Sequence, residues 1–277
     1  MEVKTIKLVD GSHLKLNFFR SMRGNSMAPV FVILPALGIR AGYYAGLATS
    51  LKLDGNHVVT FDWENHNGTS KKFEDHGYKE VLEFDLPTVM AQVKERHPGS
   101  KIFLLGHSIG VQFGLLYSAL YPNDISGVIA IAGGSMFYKN LKGLKRTKRK
   151  VDYHLVKNIS KMLGHFPGEL VGLSKEPAKL MRDWAKEGLR GSFSHIDKEL
   201  DERLEKLEVP ILFITLNNDR HVPIEGSEYL ASKLKSAKLT RLHLRDEYGI
   251  NEFHHIKWVK TPEPVVEKIQ DWILKSA

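Results

Sequence analysis

The 277-residue chain contains no cysteine. Disulfides, thiolate metal ligands and a cysteine nucleophile are therefore excluded, and a reducing cytoplasm is the expected location. Long apolar runs are also missing. The longest, Pro29 to Ile39, is broken by Pro35 and is far short of the roughly 20 residues a membrane-spanning helix needs. Residues 1–10 alternate polar and apolar side chains, so no secretory leader is expected. Repeats, low-complexity tracts and flexible linkers are absent. No His-Glu-x-x-His arrangement occurs, so neither a metal nor another cofactor is expected. Acidic residues are missing from one stretch, 139–150 (K-N-L-K-G-L-K-R-T-K-R-K), which holds seven Lys/Arg against a formal net charge of +8 for the whole chain. The remainder is near neutral. A globally basic nucleic-acid binder is thus disfavoured, and one basic segment is left to explain.

What is present is ample apolar content, 42% of residues, and a regular alternation of short buried strands with helices. Glu2 to Val9 and His13 to Phe19 flank Asp10-Gly11 as a hairpin. Buried strands are expected at Pro29 to Leu34, His57 to Phe61, Ile102 to Leu105, Ile125 to Ala132, Pro210 to Leu216 and Leu239 to Leu244. Helical spacing covers about Tyr43 to Leu53, Tyr78 to Arg96 with a kink at Pro87, Ile109 to Tyr121, Pro223 to Leu234 and Pro262 to Leu274. This predicts an α/β fold with a doubly wound, mostly parallel sheet. Residues 134–195 break the rhythm, with helical stretches near Tyr153 to Leu163 and Lys175 to Leu189. They read as a helical insertion into a core made of 1–133 and 196–277.

The chain is organised around Lys101 to Pro122. A buried strand there turns straight into an uncharged helix through Gly106-His107-Ser108-Ile109-Gly110, which fits G-x-S-x-G. Such a turn strains the middle residue and aims its side chain out of the sheet, while a Cβ at either glycine would collide with its neighbours. The stretch resembles the nucleophile elbow of the α/β-hydrolase superfamily, and the likeness extends over nearly the whole chain. Within the insertion, Gly164-His165-Phe166-Pro167-Gly168 and Arg182-Asp183-Trp184-Ala185 are similar to a little-characterised bacterial group of capped α/β-hydrolases.

The resemblance implies a triad in the order Ser, Asp/Glu, His. Ser108 takes the nucleophile position. Asp219, in Asn217-Asn218-Asp219-Arg220-His221-Val222-Pro223 after a buried strand, takes the acid position. The base falls in Asn251-Glu252-Phe253-His254-His255-Ile256-Lys257-Trp258: His255 in the register that makes Trp258 the following aromatic, with His254 as the alternative. Relatives carry His-Gly after the strand that ends at Leu34, where this chain has Pro35-Ala36-Leu37-Gly38. The oxyanion donors implied are the backbone N–H groups of Ile109 and Leu37, with Ala36 the alternative to Leu37. Asp62 to Ser70 is similar to a structural Asp-x-x-Gly-x-Gly-x-Ser stretch of the family.

The expected activity is that of a serine esterase on carboxylic esters or thioesters, with a small-molecule acyl substrate and no nucleic acid. Acyl transfer, amide cleavage, and a catalytically silent fold that binds an anionic partner through the basic segment are the rivals. The run 139–150 reads either as a solvated face or as a patch that attracts anionic head groups or membrane surface.

Overall fold

The computed structural model describes residues 1–8, 11–24, 26–63, 76–171, 175–245 and 253–276. In chain order they form β1 (Glu2–Lys7), β2 (His13–Phe19), β3 (Val30–Leu34), α1 (Ala45–Leu53), β4 (His57–Phe61), α2 (Tyr78–Glu80), α3 (Leu86–Arg96), β5 (Ile102–His107), α4 (Ile109–Leu120) and β6 (Gly127–Ile131). Then come α5 (Gly143–Leu163), β7 (His165–Phe166), β8 (Glu176–Pro177), α6 (Ala178–Arg190), α7 (Leu200–Glu205), β9 (Ile211–Leu216), α8 (Ile224–Ser232), β10 (Leu239–Leu244) and α9 (Glu263–Ser276).

Eight strands form one sheet in the order β1-β2-β4-β3-β5-β6-β9-β10. The hairpin β1–β2 and its junction with β4 are antiparallel, and every later pairing is parallel. This is the α/β-hydrolase fold. Parallel strands are covered on both faces, which is why β3 to β6 read as continuous apolar runs. Alternate residues of β3 serve two cores. Val30, Val32 and Leu34 join the cluster containing α3 and α4, whereas Phe31 and Ile33 join the one containing α1 and α9. The middle helix α4 has eleven of its twelve residues buried, which explains its lack of charge.

Besides the short helix α7, which the sequence reading lacks, three features differ from it. The helix around Pro87 contains a π turn at Val81–Asp85. Proline has no N–H and would strike the carbonyl four residues back, and a widened turn accommodates both. The helical stretch expected from Tyr153 begins at Gly143, so most of the basic run is helical. Between the two inserted helices, β7 and β8 make a two-residue antiparallel pair where no strand was expected. No described helix is long and apolar enough to cross a membrane.

Candidate active site

The crossover from β5 to α4 puts Ser108 at φ 57° and ψ −117°, a left-handed backbone that costs a non-glycine residue on the order of 1–3 kcal/mol. Packing holds it there. A Cβ on Gly110 would strike the Leu34 carbonyl of β3, and one on Gly106 would strike the Gly110 backbone. Ser108 N–H donates to the Ile131 carbonyl of β6 at 3.1 Å. The hydroxyl therefore stands at the carboxyl edge of the central strands, beside the N-terminus of α4.

Two loops meet it there. The loop after β9 carries Asp219, whose Oδ1 accepts the N–H groups of His221 and Val222 at 2.8 and 2.9 Å. Two backbone donors thus fix the carboxylate's orientation before any side chain approaches. The loop after β10 carries His255, which is 7% exposed. Its Nδ1 lies 2.8 Å from Asp219 Oδ2, and its Nε2 lies 3.0 Å from Ser108 Oγ. Asp219 accepts only from a protonated Nδ1, which leaves Nε2 as the lone-pair nitrogen facing the serine hydroxyl. His254 makes no hydrogen bond to Ser108 or Asp219. The two loops are also joined through their backbones, Asn218 N–H donating to the Phe253 carbonyl at 3.2 Å.

A second network passes beneath these residues, and no motif signalled it. Tyr44, in a 3₁₀ turn before α1, is fully buried. Its hydroxyl oxygen accepts the Ala36 N–H at 2.8 Å, and the hydroxyl lies 2.8 Å from His107 Nδ1. His107 Nε2 lies 2.6 Å from the carbonyl of His255. A carbonyl carries no proton, so Nε2–H is the donor and Nδ1 accepts from Tyr44. Trp258 Nε1, 3.3 Å from the same Nε2, is then an edge-on packing contact. Burial, with His255 nearby as the next cause, pushes the pKa of His107 down to about 3, so the ring is neutral. One neutral imidazole thereby ties the Pro35-Ala36-Leu37-Gly38 loop, the elbow and the His255 backbone together.

The Ala36 N–H is spent on Tyr44, and among the described residues nothing bonds the N–H groups of Leu37 and Ile109. Both residues line a cavity of about 530 Å³ with Ser108 and His255. Asp62 accepts the Ala41 N–H at 2.6 Å, a structural use. Residues 64–70, the rest of that family-like stretch, lie outside the described residues. So do Asp246 and Glu252, the acids to examine next should Asp219 not serve. A cavity of about 510 Å³, lined by Met1, Phe18, His57 and His97 among others, contains none of Ser108, Asp219 and His255.

Residues 134–195 add Met136, Lys148, Arg149, Asp152 and Trp184 to the lining of the serine cavity. Glu187 of α6 anchors that part of the lining. Its carboxylate accepts from the Ser135 hydroxyl and, at 3.0 Å, from Met136 N–H. Burial raises its pKa to about 7 against the lowering effect of those hydrogen bonds.

Comparison with known proteins agrees with this architecture. Residues 25–248 match the model of the serine aminopeptidase S33 family. The chain belongs to that α/β-hydrolase family. Among curated relatives, a monoacylglycerol lipase of Mycolicibacterium smegmatis is 22% identical over 251 residues, 88% of each chain. A monoglyceride lipase of Rattus norvegicus is 24% identical over 272 residues, covering 95% of this chain and 88% of that one. The solved monoacylglycerol lipase of Paleococcus ferrophilus superposes on this hydrolase with a TM-score of 0.63 at 19% identity over all of both chains. At that identity the superposition speaks for the fold.

Proposed function

We propose that the protein is a serine hydrolase that cleaves carboxylic esters or thioesters through Ser108, His255 and Asp219. The hydrogen-bond chain from Ser108 Oγ through His255 to Asp219 Oδ2 carries this reading. Ser108 Oγ attacks the acyl carbon while His255 Nε2 takes its proton, and Asp219 stabilises the imidazolium that results. The oxyanion is received by the N–H groups of Leu37 and Ile109, residues that line the same cavity and whose N–H groups have no other partner among the described residues. The tetrahedral species collapses, the leaving oxygen or sulfur takes the proton from Nε2, and the acyl group stays on Ser108. Water, deprotonated by the same nitrogen, then releases the acid and restores the serine. Lipases and esterases among the relatives favour an ester over the amide that the name serine aminopeptidase suggests. We further read residues 134–195 as a cap that roofs the site, since α5 and α6 bring side chains to the cavity that holds Ser108.

The test is Ser108→Ala, assayed with a short p-nitrophenyl ester and a fluorophosphonate probe. A loss of at least about a thousandfold in kcat is expected, with labelling abolished and the unfolding midpoint unchanged within a few degrees. Turnover near the parent rate, or undiminished labelling, would remove Ser108 from its role.

A further inference from the structure

The basic run is divided by the fold. Six of its seven cations are exposed, and Arg149 is the half-buried one. Lys139 stacks over Phe137, and Arg146 and Lys150 stack over Tyr138, with centroid distances of 5.8, 5.6 and 5.7 Å. Lys148 and Arg149 instead turn to the cavity that contains Ser108 and His255. Opposite them, the loop that carries Asp219 adds Arg220 and His221.

The charge in that cavity does not cancel. Of its lining residues, Lys148, Arg149 and Arg220 are cationic and Asp152 is the one carboxylate. Asp152 is engaged with Lys148, at 3.1 Å. Arg149 and Arg220 have no acid within ion-pair distance among the described residues. His221 adds no charge at neutral pH. Burial, then His255, holds its pKa below the ordinary value, and the Arg149 guanidinium adds to this. Two guanidinium groups with no counter-charge among the described residues thus share one concavity with the nucleophile. Low-dielectric walls concentrate the field of such charges at an anion's position, and guanidinium forks bind carboxylate or phosphate oxygens bidentately. Most of the rest of the lining (Ala36, Leu37, Ile39, Met136, Trp184 and Val222 among it) is apolar and suits an acyl chain, with Gln112 the polar side chain in it.

We infer that the substrate is an acyl ester or thioester that itself bears an anionic group, a carboxylate or a phosphate, held by Arg149 and Arg220 while Ser108 attacks. This rests on the ester-hydrolase reading and narrows it. Such an anion has two sources, a carboxylate on the acyl part or a phosphate on the leaving group. Matched pairs separate them. For the acyl side, mono-p-nitrophenyl succinate is compared with its methyl ester. For the leaving group, butyryl-CoA is compared with butyryl-N-acetylcysteamine.

The quantity read is kcat/KM for the anionic member divided by that for the neutral one. A hydrogen bond to a charged group contributes about 1.5–3 kcal/mol, so Arg149→Gln/Arg220→Gln should lower the ratio about tenfold or more in at least one pair. Arg149→Lys should restore part of it. Lys142→Gln/Lys145→Gln removes two charges of the same run away from the cavity and serves as the control. A fall of less than about threefold in both pairs, or an equal fall in the control, overturns the inference. The ester-hydrolase reading is scored separately, because Ser108→Ala must abolish hydrolysis of the neutral members whatever the ratio does.

Discussion

If residues 134–195 are the cap proposed above, the floor and the roof of the serine cavity are built by opposite means. The floor is a set of strand ends and tight loops in which the working groups are buried or half-buried and each is fixed by hydrogen bonds or packing. Asp219 is held by two backbone N–H groups, His107 bridges a tyrosine and a carbonyl, and Ser108 is locked in a strained backbone by the packing of Gly106 and Gly110. The roof is α5, a 21-residue helix with only Tyr153 and Ser160 fully buried and most of the chain's unbalanced charge. Floor residues are over-determined, so they can hold a reacting geometry to fractions of an ångström. Roof residues are held loosely, so their side chains can change with little cost to the fold. On that reading chemistry and specificity occupy parts of the molecule with different tolerance, a division that substitutions in each part can break.

The largest effect should come from the floor's acid. Asp219→Asn keeps the size and two backbone contacts but favours the wrong imidazole tautomer. We expect kcat to fall by about 10³–10⁴ for every substrate, anionic or neutral. His255→Ala should cost at least as much and His254→Ala far less, since His255 alone bridges Ser108 and Asp219. Steady-state kinetics on one neutral ester suffices. Wild-type turnover in Asp219→Asn, or a greater loss at His254, would break the assignment and with it the contrast.

A smaller effect should follow from the network beneath the triad. His107→Phe leaves the Tyr44 hydroxyl and the His255 carbonyl buried without their partner. Each orphaned group costs about 1–3 kcal/mol, and part of that cost should appear as a base displaced from Ser108. We expect kcat to fall by about 10–100-fold with KM little changed, together with a lower Tm. The acid limb of stability supplies a readout that simple loss of packing would not move. The folded His107 has a pKa of about 3, below its ordinary value of about 6.5. Its contribution is complete above about pH 6.5 and is lost as pH falls towards 3, because the unfolded chain takes up the proton first. The wild type should therefore lose stability between pH 6 and 4 more steeply than His107→Phe. Parallel denaturation curves over that window would exclude a buried neutral imidazole.

The contrast also accounts for what could be read from the sequence. Strands β2, β4 and β10 are legible to the residue because their apolar patterns have no competing period. The elbow was legible because a buried strand abuts a buried helix at Ser108. The candidate acid Asp219, and a candidate base at His255 or its neighbour His254, more than a hundred residues on, could be proposed from their resemblance to the family's motif order. The first two turns of α5 were not legible. Five cations in eight residues without an acid argue against a helix, and the compensation is tertiary: packing on α6 and the Tyr138 ring under Arg146 and Lys150. Helix α7 was missed because six residues give too little period to recognise. The Tyr44–His107–His255 network was invisible for a different reason. Its members are separated by 63 and 148 residues, and nothing in a tyrosine after Arg40-Ala41-Gly42 announces which histidine it will meet.

The smallest effect on turnover should come from Glu187, the point where roof and floor are joined. It is a roof residue buried like a floor residue, so its ionisation should register in stability and hardly in kcat. Its folded pKa is about 7, raised chiefly by burial from an ordinary 4.5. A raised acid pKa means that the fold retains a proton that the unfolded chain gives up. The stabilisation is complete below about pH 4.5, falls as pH rises, and is gone once pH passes 7. At 1.36 kcal/mol per unit the swing is about 2–4 kcal/mol. Glu187→Gln keeps an acceptor for Met136 N–H and can donate to Ser135 Oγ, while removing the ionisation. The variant should therefore be close to the wild type in stability at pH 5 and more stable than it at pH 8. Urea denaturation at the two pH values gives the difference directly. If the gap between variant and wild type is the same at both, Glu187 is ionised throughout, and the link between roof and floor is a buried charge held by its two donors.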